Sequence, residues 1–515
     1  MNVADPDNPG RVAEPAAVPT ATREAALAMS PAEFRRLGHA LVDSVATFLD
    51  SLPERRVATG ESPGAIRALL DAEKTLPGAG TDAADLLRSA TDLLFNHSLF
   101  NGHPRFFGYI TSSPAPIGIL GDFLAAAVNA NVGAWRLAPV ATEIEAQAVR
   151  WVAELIGYPR ECGGLFVSGG NMANFVGLLS ARAAAAEWDI RRTGLTASTA
   201  RLRVYASAET HTWIQKATDL AGVGTDAIRW IATDADLRMD TGALRAALTQ
   251  DRGAGERPLM VIGTAGSVST GAVDPLFDIA EICRQFGAWF HVDGAYGAFA
   301  AAVPGASRDL EALRLADSVA VDPHKWLYAP LEAGCILARD PDRLRRAFAY
   351  HPPYYHFGEE ATNYVDFGPQ NSRGFRALKV WLALRQVGRE GYVRMIADDI
   401  QLSERLFAAV AAHPDLEAWT QSLSITTFRY VPADLRSQRA ETATAAYLNA
   451  LNEALLERIQ GSGEAFVSNA VVRGSYLLRA CIVNFHTRAA DVDAIPEIVA
   501  RLGREVDAGM RPDQH

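Results

Sequence analysis

A histidine and a lysine stand side by side in VDPHKWLYAP, residues 321–330, where the apolar run SVAV ends and shortly before the apolar run GCIL. Lysine is seldom fully buried without a partner, so Lys325 at the end of an interior strand is either a rim residue or a nucleophilic amine. Four other strand-like runs end in polar groups. GGLFV is followed by Gly169, Gly170 and Asn171, RVYA by His211, MVIG by Ser267, and WFHV by Asp293. Taken singly, each is ordinary. Taken together they place a glycine turn of phosphate size, an imidazole, a hydroxyl, a carboxylate and an amine at strand ends. That set suits pyridoxal phosphate, whose aldehyde needs a lysine amine, whose pyridine nitrogen needs a carboxylate and whose phosphate needs backbone N–H groups. His291, which alternates with Asp293 along one strand, reads as packed or hydrogen-bonded structure.

The elements that must position these groups read as α/β. PLMVIGT is a buried strand. Asp274 and Pro275 then open a helix with Leu276, Ile279, Ile282 and Phe286 on one face, Gly287 closes it, and AWFHVD is the next strand. Further strands are predicted at GGLFVS, RLRVYA, DSVAV and GCILAR, with a helix from about Asn171 to Trp188. The block is a mostly parallel sheet wrapped by helices, and such sheets bind ligands beyond the carboxyl ends of their strands. Upstream, SPAEF predicts a helix start with Ser30 as cap, Pro31 in the first position and Glu33 completing a capping box. Phe34, Leu37, Leu41, Val45, Phe48 and Leu49 follow at helical spacing. With the shorter helices in SPGAIRALL and TDAADLLRSATDLLF they form a region too small for its own core, which predicts packing on another body such as a second subunit.

Residues 350–374, YHPPYYHFGEEATNYVDFGPQNSRG, have no period and are long for a loop, which suggests a functional lid; FRALKVWLALRQVG then resumes a helix. The expected organisation is a disordered tail over 1–29, a helical dimerisation segment over 30–115, a large cofactor domain over 116–392 that includes the lid, and a smaller α+β domain over 393–515. With 515 residues the chain exceeds one ordinary core. A net charge of −11 without a basic cluster excludes a nucleic-acid footprint. Cys162, Cys283, Cys335 and Cys481 are far apart, with neither a CxxC pair nor zinc-like histidine spacing, so no metal site or disulfide framework is expected. The N-terminus has no signal-peptide pattern and no apolar run approaches a membrane span. A soluble cytoplasmic protein is the expectation.

SVAVDPHKW, WFHVDGAYGAFA, SGGNMAN and SAETHTWIQKA resemble the group II pyridoxal-phosphate amino-acid decarboxylases, the family of the aromatic-L-amino-acid, histidine and glutamate decarboxylases. HPRFFGYITSSPAPIG, APVATEIEAQAVRW and SYLLRACIVN extend the resemblance over roughly residues 31–490. It implies a fold-type I transferase-like large domain and a homodimer with shared active sites. It makes Lys325 the Schiff-base lysine, His324 its neighbour near the phosphate, Asp293 the partner of the pyridinium nitrogen and Ala295 a contact of the ring. His211 stacks on the opposite ring face, and Gly170, Asn171 and Ser267 hold the phosphate. Asp322 departs from the pattern, since many members carry Asn there and a carboxylate repels a phosphate unless turned away or protonated.

The family carries a loop tyrosine that protonates Cα, and Tyr364, counted back from FRALK, matches it. Trp326 resembles the aromatic branch, and Phe106, Phe107, Tyr109, Ile110 and Trp135 are candidates for an apolar substrate pocket. The implied reaction is decarboxylation of an L-amino acid, aromatic by this resemblance, to its amine. The alternatives are an aldehyde-forming oxidative member, a decarboxylase of a non-aromatic apolar amino acid, an aminotransferase-like enzyme using Arg376 or Arg479 to clamp a carboxylate, and a cofactor-free scaffold.

Overall fold

The computed structural model describes residues 25–351 and 361–511. Its centre is a seven-stranded sheet of β1 (Gly163–Val167), β2 (Leu202–Ser207), β3 (Ile228–Ile231), β4 (Arg257–Thr264), β5 (Trp289–Asp293), β6 (Ser318–Val321) and β7 (Gly334–Ala338), in the order β1-β7-β6-β5-β4-β2-β3. β7 pairs antiparallel with both β1 and β6, and every other neighbouring pair is parallel. β2, β5, β6 and β7 are buried along their whole length, as expected of strands covered by helices on both faces. Each strand predicted from the sequence is present. β3, IRWI, was not predicted: it lies at the sheet edge with Arg229 and Trp230 in partial contact with solvent, so its pattern is too polar to read as buried.

The helix Gly170–Ala185 lies across this sheet through Ala173, Val176, Leu178 and Ala181. Its close approach depends on Gly177, where an added Cβ would stand 2.9 Å from Cε1 of His291. The helix Leu276–Phe286 connects β4 and β5 and ends at Gly287, which adopts φ 66°. Its opening differs from the expectation, because Pro275 is the cap. Asp274 instead accepts N–H bonds from Met239 at 2.7 Å and Thr264 at 2.8 Å, and burial pushes its pKa up to about 6.

Before the sheet, the helix Pro31–Ser51 starts where predicted, with Ser30 Oγ accepting the Glu33 N–H at 3.1 Å. Leu37 is its only buried residue, while Phe34, Leu41 and Val42 stay exposed. The helix Pro116–Val128 beside it leaves Leu120, Phe123, Leu124 and Val128 equally exposed. After the sheet, the helix Ala377–Ala412 runs through residues 392 and 393 and is broken at Gly388, with φ 67° and ψ 171°. It leads into an antiparallel sheet of β8 (Leu416–Ser422), β9 (Ile425–Tyr430), β10 (Ser468–Val472) and β11 (Ser475–Cys481), in the order β10-β11-β9-β8. The helices Thr442–Ser462 and Ile495–Met510 pack against this second sheet around Phe428, Leu451, Leu455, Ile459 and Leu502. Most of the expected 1–29 tail, residues 1–24, lies outside the described residues, as do 352–360 of the lid segment.

Candidate active site

A cavity of about 270 Å³ opens beyond the carboxyl ends of β4, β5 and β6. Lys325, Asp322, Asp293, Ala295, His211, Gly170 and Asn171 line it, so seven of the ten residues singled out by sequence converge on one space.

Asp293 is the last residue of β5 and is 7% exposed. Its Oδ2 accepts the indole N–H of Trp213 at 2.7 Å, and its Oδ1 accepts the Ala295 N–H at 3.2 Å. Lys325 sits in the single helical turn Pro323–Trp326 that follows β6, with Nζ 3.1 Å from Asp322 Oδ2. The turn is held from several sides. His324 Nδ1 accepts the Ala333 N–H at 3.1 Å, and Ser112 Oγ donates to the His324 carbonyl at 2.8 Å. From the helix Ala377–Ala412, Asp399 Oδ2 accepts the indole N–H of Trp326 at 2.9 Å and the Tyr328 hydroxyl at 2.7 Å, and burial raises its pKa to about 7. Trp326 stacks on Tyr296 at 4.9 Å. Lys325 is therefore carried by a rigid turn, and among the described residues its side chain pairs only with Asp322.

His211 Nδ1 accepts the Trp213 backbone N–H at 3.2 Å, which leaves the proton of the neutral ring on Nε2. His211 keeps an exposed edge, and the partial loss of water around its ring, with Lys325 assisting and Asp293 opposing, lowers the pKa of this imidazole. The helix Gly170–Ala185 starts at the cavity without a side-chain cap, so its first N–H groups and its dipole suit an anion. A Cβ on Gly170 would stand 2.7 Å from Asp322 Oδ2 and 2.9 Å from the Ala295 methyl, so a side chain here would fill the cradle. Pyridoxal phosphate fits this donor set: a primary amine, a hydrogen-bonded carboxylate, a neutral imidazole and an open helix start. Asp322 is the discordant group. It is 2% exposed, its Oδ1 has no partner, and its Oδ2 is shared by Lys325 and His324 Nε2, the latter at 3.6 Å.

Three predicted residues lie elsewhere. Ser267 is turned into its own loop, its Oγ 3.0 Å from Thr270 Oγ1, while its neighbours Gly266 and Val268 line the cavity. His324 stands behind Gly169 and not on the cavity wall. Tyr364 is corrected more strongly. It is 2% exposed in a core with Leu165, Val167, Ala173 and Phe367, and the Arg373 guanidinium lies 4.7 Å from its ring centre. Arg373 is in turn tied to Glu145 and to the Val132 and Phe166 carbonyls, which fixes this end of the lid segment to β1. The physical reason is hydrophobic: a tyrosine next to Phe367 gains more by burial than by reaching a wet cavity. Tyr364→Phe is therefore expected to leave kcat within a factor of about 3, against the ~10²–10⁴-fold loss of a missing general acid. Steady-state assays decide, and a loss in that larger range would return the role to Tyr364. Of the other tyrosines and histidines of the segment, Tyr354, Tyr355 and His356 lie outside the described residues, while Tyr350 is exposed and His351 meets Asp366 at 3.0 Å.

The expected substrate wall is also smaller. Tyr109 and Ile110 line the cavity, whereas Phe106 and Phe107 are buried in other clusters, and Trp135 is turned away from it, donating to Glu143 Oε1 at 2.9 Å. Arg376 is engaged with Glu332 at 2.7 Å, but Arg479 reaches the cavity, donating to the Tyr109 carbonyl at 2.6 Å and Ser468 Oγ at 3.1 Å with its Nε unpartnered. Trp213 and Arg479 are the site residues that sequence reasoning passed over or weighed only for another reaction. The available signals were an indole two positions after His211 and a lone arginine in the apolar strand SYLLRAC.

Comparison with known proteins agrees with this geometry. Residues 63–431 match the pyridoxal-dependent decarboxylase conserved domain. The chain is 33% identical to the aromatic-L-amino-acid decarboxylase of Bacillus atrophaeus, over 93% of this chain and 97% of that one. It is 30% identical to phenylacetaldehyde synthase of Petunia hybrida, over 88% and 91% respectively. The crystal structure of Oryza sativa TDC with PLP and tryptamine superposes with a TM-score of 0.85 at 28% identity, covering 93% of this chain and 99% of that one.

Proposed function

The chain belongs to the pyridoxal-dependent decarboxylase family, and from that premise we propose that this pyridoxal-phosphate-dependent amino-acid decarboxylase acts on an aromatic L-amino acid, yielding the amine and carbon dioxide. The observation that carries the substrate class is the pairing of Arg479 with Tyr109 and Ile110 at one cavity: a guanidinium for the α-carboxylate beside an apolar wall for the side chain. The likeness to the Bacillus atrophaeus enzyme supports it.

When bound, pyridoxal phosphate supplies a protonated pyridine ring into which the electrons of a breaking bond at the substrate's Cα delocalise. The chain's part is to hold and orient. Lys325 Nζ would hold the cofactor through its aldehyde group. The turn locked by Ser112 and Asp399 would keep that nitrogen in place. Asp293 holds the proton on the ring nitrogen, an electrostatic contribution that is strong because the carboxylate is already oriented by two N–H groups. His211, whose imidazole pKa is lowered, would pack on the face of the cofactor's ring. The first N–H groups of Gly170–Ala185, which no side chain caps, would receive the phosphate.

A second reading keeps the substrate and changes the product. The likeness to the Petunia hybrida phenylacetaldehyde synthase supports an oxidative outcome, in which oxygen is consumed and aldehyde, ammonia and peroxide leave with the carbon dioxide. Incubating the holoenzyme with Tyr, Phe, Trp, Dopa, Leu and Met while following carbon dioxide, oxygen and the organic product separates the two. Amine equal to carbon dioxide without oxygen uptake is the expected result. Aldehyde with oxygen uptake favours the second reading, and preference for Leu or Met overturns the aromatic assignment.

The proposal includes a homodimer. Phe34 and Phe123 stack at 6.5 Å, and with Leu41, Leu120, Leu124 and Val128 they form apolar surface that a single chain leaves in water. Sedimentation at assay concentration is expected to give a dimer, and a fully active monomer refutes it. A cytoplasmic location is proposed from the cysteines, all four buried and unpaired, as a reducing compartment allows.

A further inference from the structure

We infer that Trp213 is a positioning residue for the reaction: its indole N–H holds the Asp293 carboxylate in the orientation that the cofactor's ring nitrogen requires. Trp213 opens the helix Trp213–Leu220 two residues after His211 and is 1% exposed, packed in a cluster with Leu178, Val204, Ile214 and Trp289. Filling that space needs only an apolar side chain. The indole adds a donor, and the donor meets Asp293 Oδ2 at 2.7 Å, shorter than the 3.2 Å bond from Ala295 N–H to Oδ1. A buried N–H to a carboxylate is a charge-assisted bond and fixes its acceptor more firmly than a neutral one does.

The indole is itself held. His291 meets it edge-on at 5.9 Å and 75°, and His291 cannot turn, because Ser318 Oγ lies 2.8 Å from its Nδ1 and Asn174 Oδ1 2.7 Å from its Nε2. The backbone N–H of Trp213 at the same time reaches Nδ1 of His211. One residue thus contacts both polar groups assigned to the cofactor ring, the carboxylate at its nitrogen and the imidazole on its face. The backbone contact is available to any residue type. The contact to Asp293 requires the indole nitrogen, so the side chain's identity bears on the carboxylate.

The inference rests on the cofactor assignment, and its test reads cofactor affinity, so the two fail differently: a wild-type apoprotein that takes up no pyridoxal phosphate sinks the assignment itself. Trp213→Phe keeps a ring in the cluster and deletes the donor. In equilibrium dialysis of apoprotein against pyridoxal phosphate, its Kd should rise roughly tenfold. In the holoenzyme kcat should fall while the amino-acid KM stays near its wild-type value. The decisive comparison is Trp213→Phe in an Asp293→Asn background, where no further loss of affinity is expected because the two residues act as one unit. Equal losses in both backgrounds, or an unchanged Kd with only a lower apoprotein Tm, would make Trp213 a packing residue and overturn the inference. Should Trp213→Phe not fold, benzothienylalanine placed at 213 keeps the bicyclic shape and replaces N–H with sulfur, and the same dialysis and the same outcomes apply.

Discussion

Lys325→Ala should lower turnover by more than about 10⁴-fold, the order of loss when a covalent nucleophile is removed, while the protein remains folded. The chain makes the experiment unusually clean. It has only four lysines, Lys74, Lys216, Lys325 and Lys379. Lys379 Nζ is bound to Asp122 at 3.0 Å, Lys216 is exposed on the helix Trp213–Leu220, and of the four Lys325 alone lines the cavity. No second amine stands ready to substitute. The fold should tolerate the change, because the turn around Lys325 is held by Ser112, Ala333 and Asp399 and not by the lysine side chain. What the variant does lose is the 3.1 Å partner of Asp322, leaving that carboxylate with His324 at 3.6 Å. Amine or aldehyde formation near the wild-type rate would end the assignment of Lys325. So would retention of the cofactor through borohydride reduction and denaturation, since the covalent link would then be elsewhere.

The parts of the site that were legible in the sequence are those whose logic is local. PLMVIGT and AWFHVD read as strands because central parallel strands are buried on both faces, and the polar residue that ends each one marks a carboxyl end. Asp293, His211, Gly170 and Lys325 could be found in this way. Trp213 and Arg479 could not, because their meaning lies in partners 80 and 370 residues away, Asp293 and the carbonyl of Tyr109. Ser267 was misplaced for a related reason. A hydroxyl at a strand end can equally bond its own loop, and here Thr270 takes it. Tyr364 shows the limit of counting along a loop: register against FRALK identified a tyrosine, but the Arg373 anchor and Phe367 decide that this one belongs to the core. At the sheet edge, β3 escaped notice because an edge strand shows only part of the apolar pattern.

Asp293→Asn isolates the charge at the ring nitrogen with almost no change of shape, and kcat is expected to fall by about 10²–10³-fold, the cost of removing one preorganised electrostatic partner, with a smaller change in the amino-acid KM. The site makes an amide a poor replacement for more than its lost charge. Both oxygens of Asp293 receive N–H donors, Trp213 at Oδ2 and Ala295 at Oδ1, so an acceptor is needed on each side. Asparagine has one, and whichever way it flips, its NH₂ faces a donor that was satisfied before. The amide must then shift or leave one buried N–H unpaired, which costs about 1–3 kcal/mol. The orientation that best suits the backbone of Ala295 turns the NH₂ toward the indole. Stability and catalysis should therefore respond together: a lower apoprotein Tm, weaker cofactor retention and a kcat loss that added pyridoxal phosphate does not recover. The last point separates charge from occupancy, since a defect of binding alone disappears at saturation. Recovery of wild-type kcat at saturating cofactor would show that Asp293 only anchors the ring. The charge at its nitrogen would then have to come from another group of the cavity, and Asp322, the second buried carboxylate there, would be the residue to replace next.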